Sequence, residues 1–225
     1  MIKGNDVVRG IIMLDKVGCN PWISMWTKPK DTIRKIVDVN PNYKLFTLSS
    51  IYGFVSLIGS SQSFSLGEKL NTFLILISCI ILAPLWGYLI FSSASYFIFF
   101  TGKWFKGIAK YSQIRCAVAW SNVPMIVNLF IWLMLFMVFK GDILKDFPVN
   151  YAFSNFERVF LFIMMLAQLG ISIWIIILYV NSLAEVQKFS VGKAILNLLI
   201  AIVIFAAIFF VITMLYFAII KGITK

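Results

Sequence analysis

The chain has no histidine and three scattered cysteines, Cys19, Cys79 and Cys116, with no CxxC pair among them. A zinc site, a haem attachment and a histidine-based catalytic dyad have no residues to be built from. No metal and no cofactor are expected. Phosphate loops are missing too. Gly102-Lys103 and Gly192-Lys193 lack the earlier glycine of G-x-x-x-x-G-K-[ST], and there is no G-x-S-x-G. The sequence therefore predicts a protein that is not an enzyme. Charge is scarce: 13% of residues are charged and 61% hydrophobic, with a mean hydropathy of +0.93. A soluble domain carries roughly 25% charged residues. So few charges cannot cover a water-soluble globule, so lipid must solvate most of the surface. Acidic residues are the rarer sign, 9 against 20 basic ones. The basic residues flank apolar runs rather than one polar face, so no nucleic acid is expected. The bilayer and its anionic head groups are the partners that fit. Asp6, Arg9, Asp15 and Lys16 interrupt the start of the chain, which is therefore not a secretory signal.

Five apolar runs are present, at about 45–63, 72–100, 116–139, 159–180 and 194–220. At 1.5 Å per residue each reaches across a bilayer core of roughly 30 Å. The expected fold is all-α: a polytopic membrane protein of five transmembrane helices, preceded by a short amphipathic interfacial segment. Residues 1–44 form a cytoplasmic tail with an amphipathic collar, and 45–225 form the membrane domain. Gly53, Gly59 and several serines make the first run the least apolar. Pro84 and Pro124 predict helix kinks, and the Ser121 and Asn122 side chains stand where they can bond a carbonyl freed at Pro124. No Asp, Glu, Lys or Arg lies inside any run, which argues against a proton-coupled pump. The intramembrane polar residues are Asn128, Gln168, Ser172 and Asn197. They serve either interhelical hydrogen bonds or a polar path for a head group or small solute.

In the collar, Trp22 and Trp26 are four residues apart and share a helix face. Pro29 suits the first turn of a second helix. Ile33, Ile36 and Val37 form an apolar stripe beside Lys30, Arg34 and Lys35, and Pro41 ends the element. The segment either lies in the head-group layer or packs on the membrane domain. Trp22, Trp26, Arg34 and Trp104 are the expected interface anchors. Of the 20 basic residues, 14 fall on the side of the chain's start if there are five crossings. That bias predicts a cytoplasmic N terminus and an external C terminus. Lys103, Lys106, Lys110 and Arg115, with Glu185 and Lys193, then form a cytoplasmic docking face, and Glu185 is expected to pair with Arg115 or Lys193.

Three stretches resemble the Yip1 domain family. The first runs from Asn20-Pro21-Trp22 through Lys28-Pro29-Lys30-Asp31-Thr32-Ile33-Arg34 to Asn40-Pro41. The second is Gly102 to Pro124, above all Ala117-Val118-Ala119-Trp120-Ser121-Asn122-Val123-Pro124. The third is Leu183-Ala184-Glu185-Val186-Gln187-Lys188-Phe189-Ser190 with Lys193-Ala194. The resemblance implies five spans with a cytosolic N terminus. It also implies association with other family members, or as a homo-oligomer, and a Rab-type GTPase partner only in a eukaryotic member. The short cytosolic segment and the lack of an N-x-[ST] acceptor look more like a prokaryotic member in an inner or plasma membrane. Two readings of function stand open: a membrane-organising or trafficking-like scaffold, and a small transport or lipid-translocation component with a polar path between the third and fourth spans.

Overall fold

The computed structural model of the chain describes residues 18, 20–147 and 151–223, with side chains of the last helix described to residue 214. Residues 1–17 of the expected N-terminal tail, and Cys19, lie outside the described residues. The described chain is helical, with no strand among the described residues. Helices α1 (Pro21–Thr27) and α2 (Pro29–Val39) form the collar. They are followed by α3 (Leu45–Ser63), α4 (Thr72–Trp104), α5 (Tyr111–Ser121), α6 (Met125–Phe139), α7 (Asn155–Gln187) and α8 (Val191–Ile223). The starts are chemically marked. The Asn20 and Asn71 side chains accept from the N–H groups of Trp22 and Phe73. Ser154 and Glu157 form a reciprocal capping box at α7.

Helices α3 and α4 form an antiparallel hairpin. Ser49 lies against Gly87 and Gly53 against Ala83. The Trp86 indole donates to Ser56 Oγ at 3.3 Å, and Ser61 Oγ meets Cys79 Sγ at 3.9 Å. Gly53 and Gly87 permit this approach, since a Cβ on either would overlap the Ala83 or Ser49 carbonyl oxygen. Helix α4 continues through Pro84 as one element of 33 residues.

The third apolar run is not one rod. It divides into α5 and α6 at Asn122-Val123-Pro124, and α5 begins at Tyr111, five residues before the expected start. Proline cannot donate into the helix, and here neighbouring side chains complete the break. The Asn122 N–H turns to the Ala119 carbonyl at 3.1 Å. The Val118 carbonyl is taken by the Asn122 side-chain amide at 2.8 Å, and the Ala117 carbonyl accepts from Ser121 Oγ at 2.7 Å.

Two apolar clusters hold the described chain together. One centres on Trp120 and joins Met25, Ile33 and Ile36 of the collar to Phe91, Ile98 and Leu183. The other joins Val55, Ile58 and Ile75 to Trp132, Leu135 and Leu144. Outside them the surface is itself apolar: Phe73, Ile81, Val203 and Phe209 are each about two-thirds exposed. Water would not tolerate so continuous an apolar exterior. Four helical stretches are long and apolar enough to cross a membrane: Thr72–Trp104, Tyr111–Leu144, Asn155–Gln187 and Val191–Met214. The protein is a multi-pass integral membrane protein. Helix α3, at 19 residues, does not reach the same apolarity.

Candidate functional site

The end of the molecule that carries the collar also gathers the basic loops. Helix α4 finishes at Trp104, and Lys106 follows in a left-handed turn with a φ of 62°. The Gly107 N–H bonds the Gly102 carbonyl at 2.9 Å and closes the loop. Gln187, the last residue of α7, presses its side chain into this loop. A Cβ at Gly102 would lie 2.6 Å from the Gln187 amide atoms, and one at Gly107 would lie 2.9 Å from the Phe189 ring. The Phe105 and Phe189 rings meet edge to face at 6.3 Å. The loop after α4 and the connector between α7 and α8 are therefore one surface.

On that surface Lys103 lies over the Phe99 ring at 4.3 Å, a cation–π contact. Lys106, Lys110 and Lys193 are exposed. Gln113 Oε1 accepts from the Lys110 N–H at the start of α5.

Arg115 does not join them. Its guanidinium donates to the Tyr88 hydroxyl at 2.8 Å and to Asn42 Oδ1 at 3.0 Å, and it stacks against Tyr88 and Tyr111. Glu185 does not pair with Arg115 or Lys193 as the sequence suggests. It accepts from Arg34 Nε at 2.7 Å and from Lys188 Nζ. The physical reason is the docking of α2. Its buried Thr32, Ile33 and Ile36 seat on the membrane domain, and Arg34, on the flank, reaches the end of α7. Accepting that hydrogen bond, the Glu185 carboxylate raises the Arg34 guanidinium above its ordinary pKa. The ion pair fastens the collar to the basic end.

The expected anchors divide. The Trp22 ring is 5.3 Å from that of Trp120, whose indole N–H donates to the Tyr43 carbonyl at 3.2 Å. Trp22 is thus part of the core around the broken span. Trp26 lines a cleft against α7. Trp104 is 58% exposed at the end of α4.

The intramembrane polar residues are not assembled into a path. Asn197 is fully buried. Its Oδ1 accepts from Thr101 Oγ1 at 2.6 Å and its amide reaches the Ile98 carbonyl, which ties α8 to α4. Asn128 donates to Met125 Sδ within its own helix, and Ser172 Oγ donates to the Gln168 carbonyl. A cleft of about 360 Å³ opens between α4, α7 and α8, lined by residues such as Ile90, Phe97, Ile176 and Phe205. None of Asn128, Gln168, Ser172 or Asn197 lines it or the cleft at Trp26. The Thr101–Asn197 bond and the Gln187 wedge carry no mark in the sequence beyond buried-compatible polar residues in apolar company. Among the described residues no cluster of His, Cys, Asp and Glu could hold a metal.

The family model for the Yip1 domain matches residues 23–213, from the collar to the last span. The chain belongs to the Yip1 domain family. That match takes in most of the docked collar, the broken span around Trp120 and the basic end of this Yip1 domain. No curated protein and no solved structure matches the chain.

Proposed function

We propose that this Yip1 domain protein is a non-enzymatic, membrane-organising scaffold that crosses the bilayer five times and presents a basic docking face to the cytosol. The observation that carries the reading is the gathering of charge. The apolar runs hold no charged residue, while Lys103 and Lys106 lie in the segment against which Gln187 packs, at the start of the connector that carries Lys188 and leads to Lys193. A surface of cations on rigid helix ends suits an acidic protein partner or anionic lipid.

The fifth crossing is α3. It runs beside the stretch of α4 from Ile75 to Phe91, antiparallel and along its whole length. Its 19 residues make a rod of about 28 Å, close to the bilayer core of roughly 30 Å. Its serines lower its hydropathy, and three of their hydroxyls are spent on carbonyls of the same helix. Ser50, Ser61 and Ser63 bond the carbonyls of Phe46, Leu57 and Gly59. Five crossings with Lys103 inside place the N terminus in the cytosol and the C terminus outside, as expected of an inner or plasma membrane protein. The transport reading is less supported, because Asn197 is spent on Thr101 and the cleft between α4, α7 and α8 is almost wholly apolar.

The test is charge reversal at Lys103, Lys106 and Lys110, followed by affinity capture from detergent. Loss of co-captured membrane proteins, with topology unchanged, is the expected result. An unaltered set of partners rejects the docking role.

A further inference from the structure

Where α1 gives way to α2, a second cleft of about 420 Å³ opens between the collar and α7. Its walls are Trp26 of the collar and Trp174 of α7, its floor is Ile177 and Leu178, and its rim holds Lys28, Lys30 and Asp31. The floor comes from the last turns of the apolar run on α7. Asn181, which also lines the cleft, is the first polar residue beyond that run. The cleft therefore straddles the boundary between hydrocarbon and head groups. Tryptophans are the side chains that settle at this level, and two of them stand on opposite walls.

The two lysines are available. Lys28 is the joint between the helices, and its carbonyl is held by the Thr32 hydroxyl at 2.8 Å. Both lysine side chains are exposed, and neither forms an ion pair among the described residues. Apolar floor, tryptophan walls and a cationic rim at one depth match the parts of a single lipid molecule.

We propose that this cleft is a binding site for one anionic phospholipid, with its phosphate on Lys28 and Lys30 and its upper acyl segment against Trp174 and Ile177. A free phosphate would gain nothing from the floor, and a neutral lipid would gain little from the rim. Asp31 opposes the anion and limits the affinity. The proposal rests on the collar lying at a membrane surface, but not on any protein partner.

The full chain is reconstituted in nanodiscs of equal phosphatidylglycerol and phosphatidylcholine, and bound lipid is counted by native mass spectrometry. Phosphatidylglycerol is retained in preference. Lys28→Gln lowers its retention about fivefold, and the Lys28→Gln/Lys30→Gln pair more than tenfold, the scale expected of lysines at an anionic surface. Asp31→Asn raises it. Ile177→Trp fills the floor without changing charge and also lowers it. Lys69→Gln/Lys145→Gln changes the same charge at the other end of the molecule and leaves it unaltered. Equal retention of both lipids, or indifference to the Lys28/Lys30 pair or to Ile177→Trp, overturns the site. Displacement by millimolar glycerol phosphate overturns the assignment to lipid. Charge reversal at Lys103, Lys106 and Lys110 must leave retention intact, so failure of the docking face and failure of this site are told apart. Circular dichroism and a thermal melt confirm that each variant is folded.

Discussion

Glu185 shows what one carboxylate does among so many cations. It is 89% shielded in its side chain, at 11% exposure, and two cations converge on it, Arg34 from the collar and Lys188 one turn along. Removing it leaves both without their partner, whereas removing Arg34 leaves Glu185 with Lys188. Lys188 belongs to the end of α7 and not to the collar, so Glu185→Gln and Arg34→Gln are expected to loosen the collar alike. Trypsin cleavage at Lys30 and Lys35, sites that both variants keep, should be faster in both, and the wild-type protection should weaken as salt is raised. Equal cleavage in all three would show that Ile33 and Ile36 hold the collar unaided. The partner of Glu185 was not legible, because Arg34 lies 151 positions away and only the docking of α2 brings it near. Asn122 was legible in part: a donor beside a proline, in an apolar run, finds a stranded carbonyl, but it is that of Val118, while the Trp120 carbonyl freed at Pro124 is taken by the Val123 N–H. Asn122→Leu leaves the buried Val118 carbonyl without that donor and should cost about 1–3 kcal/mol. Asn128→Leu loses only a bond to the Met125 sulfur and should cost less. Thermal unfolding in detergent ranks the two.

At the level of elements, the hairpin of α3 and α4 depends on two missing side chains. Gly53→Ala or Gly87→Ala would drive a methyl into the Ala83 or Ser49 carbonyl, so the helices must part. Overpacking of this kind costs about 1–3 kcal/mol. Gly170 is the control: a Cβ there meets nothing within 4 Å. Gly170→Ala should be neutral or stabilising by up to about 1 kcal/mol, and the same melting experiment separates them. Apolar periodicity revealed where helices lie but not their ends. Helix α7 runs to Gln187, past the apolar limit near residue 180, and α8 starts at Val191, because polar residues at a helix end stay helical when a neighbouring loop packs on them. The break between α5 and α6 was legible only as a bend. Proline marks the place, but a full break needs Ser121 and Asn122 to satisfy the carbonyls on one side and the Trp120 core to hold the angle.

For the whole molecule, the number of crossings decides which surfaces share a compartment. Four stretches meet the usual standard of length and apolarity, and α3 does not. If α3 lay outside the hydrocarbon, the collar and Lys69 would share one side, and the collar would be separated from Lys103 by one crossing of α4. The proposed five crossings rest on the opposite placement: α2 packs beside the far end of α7 and its Arg34 holds Glu185, near the Gln187 that seats against Gly102 and Gly107. The collar and the loop at Lys103 are thus at one end of the molecule, and in the proposed topology α3 returns the chain across. With Cys19, Cys79 and Cys116 replaced by serine, single cysteines at Asn42, Lys69, Lys106 and Lys145 test this with an impermeant thiol reagent on sealed cells. Asn42→Cys and Lys106→Cys should be protected, and Lys69→Cys and Lys145→Cys labelled. Labelling of Asn42→Cys with protection of Lys106→Cys would reduce the crossings to four. It would also put the collar's lysines on the outer face, where the anionic lipid that the cleft is shaped to take is not the dominant surface charge.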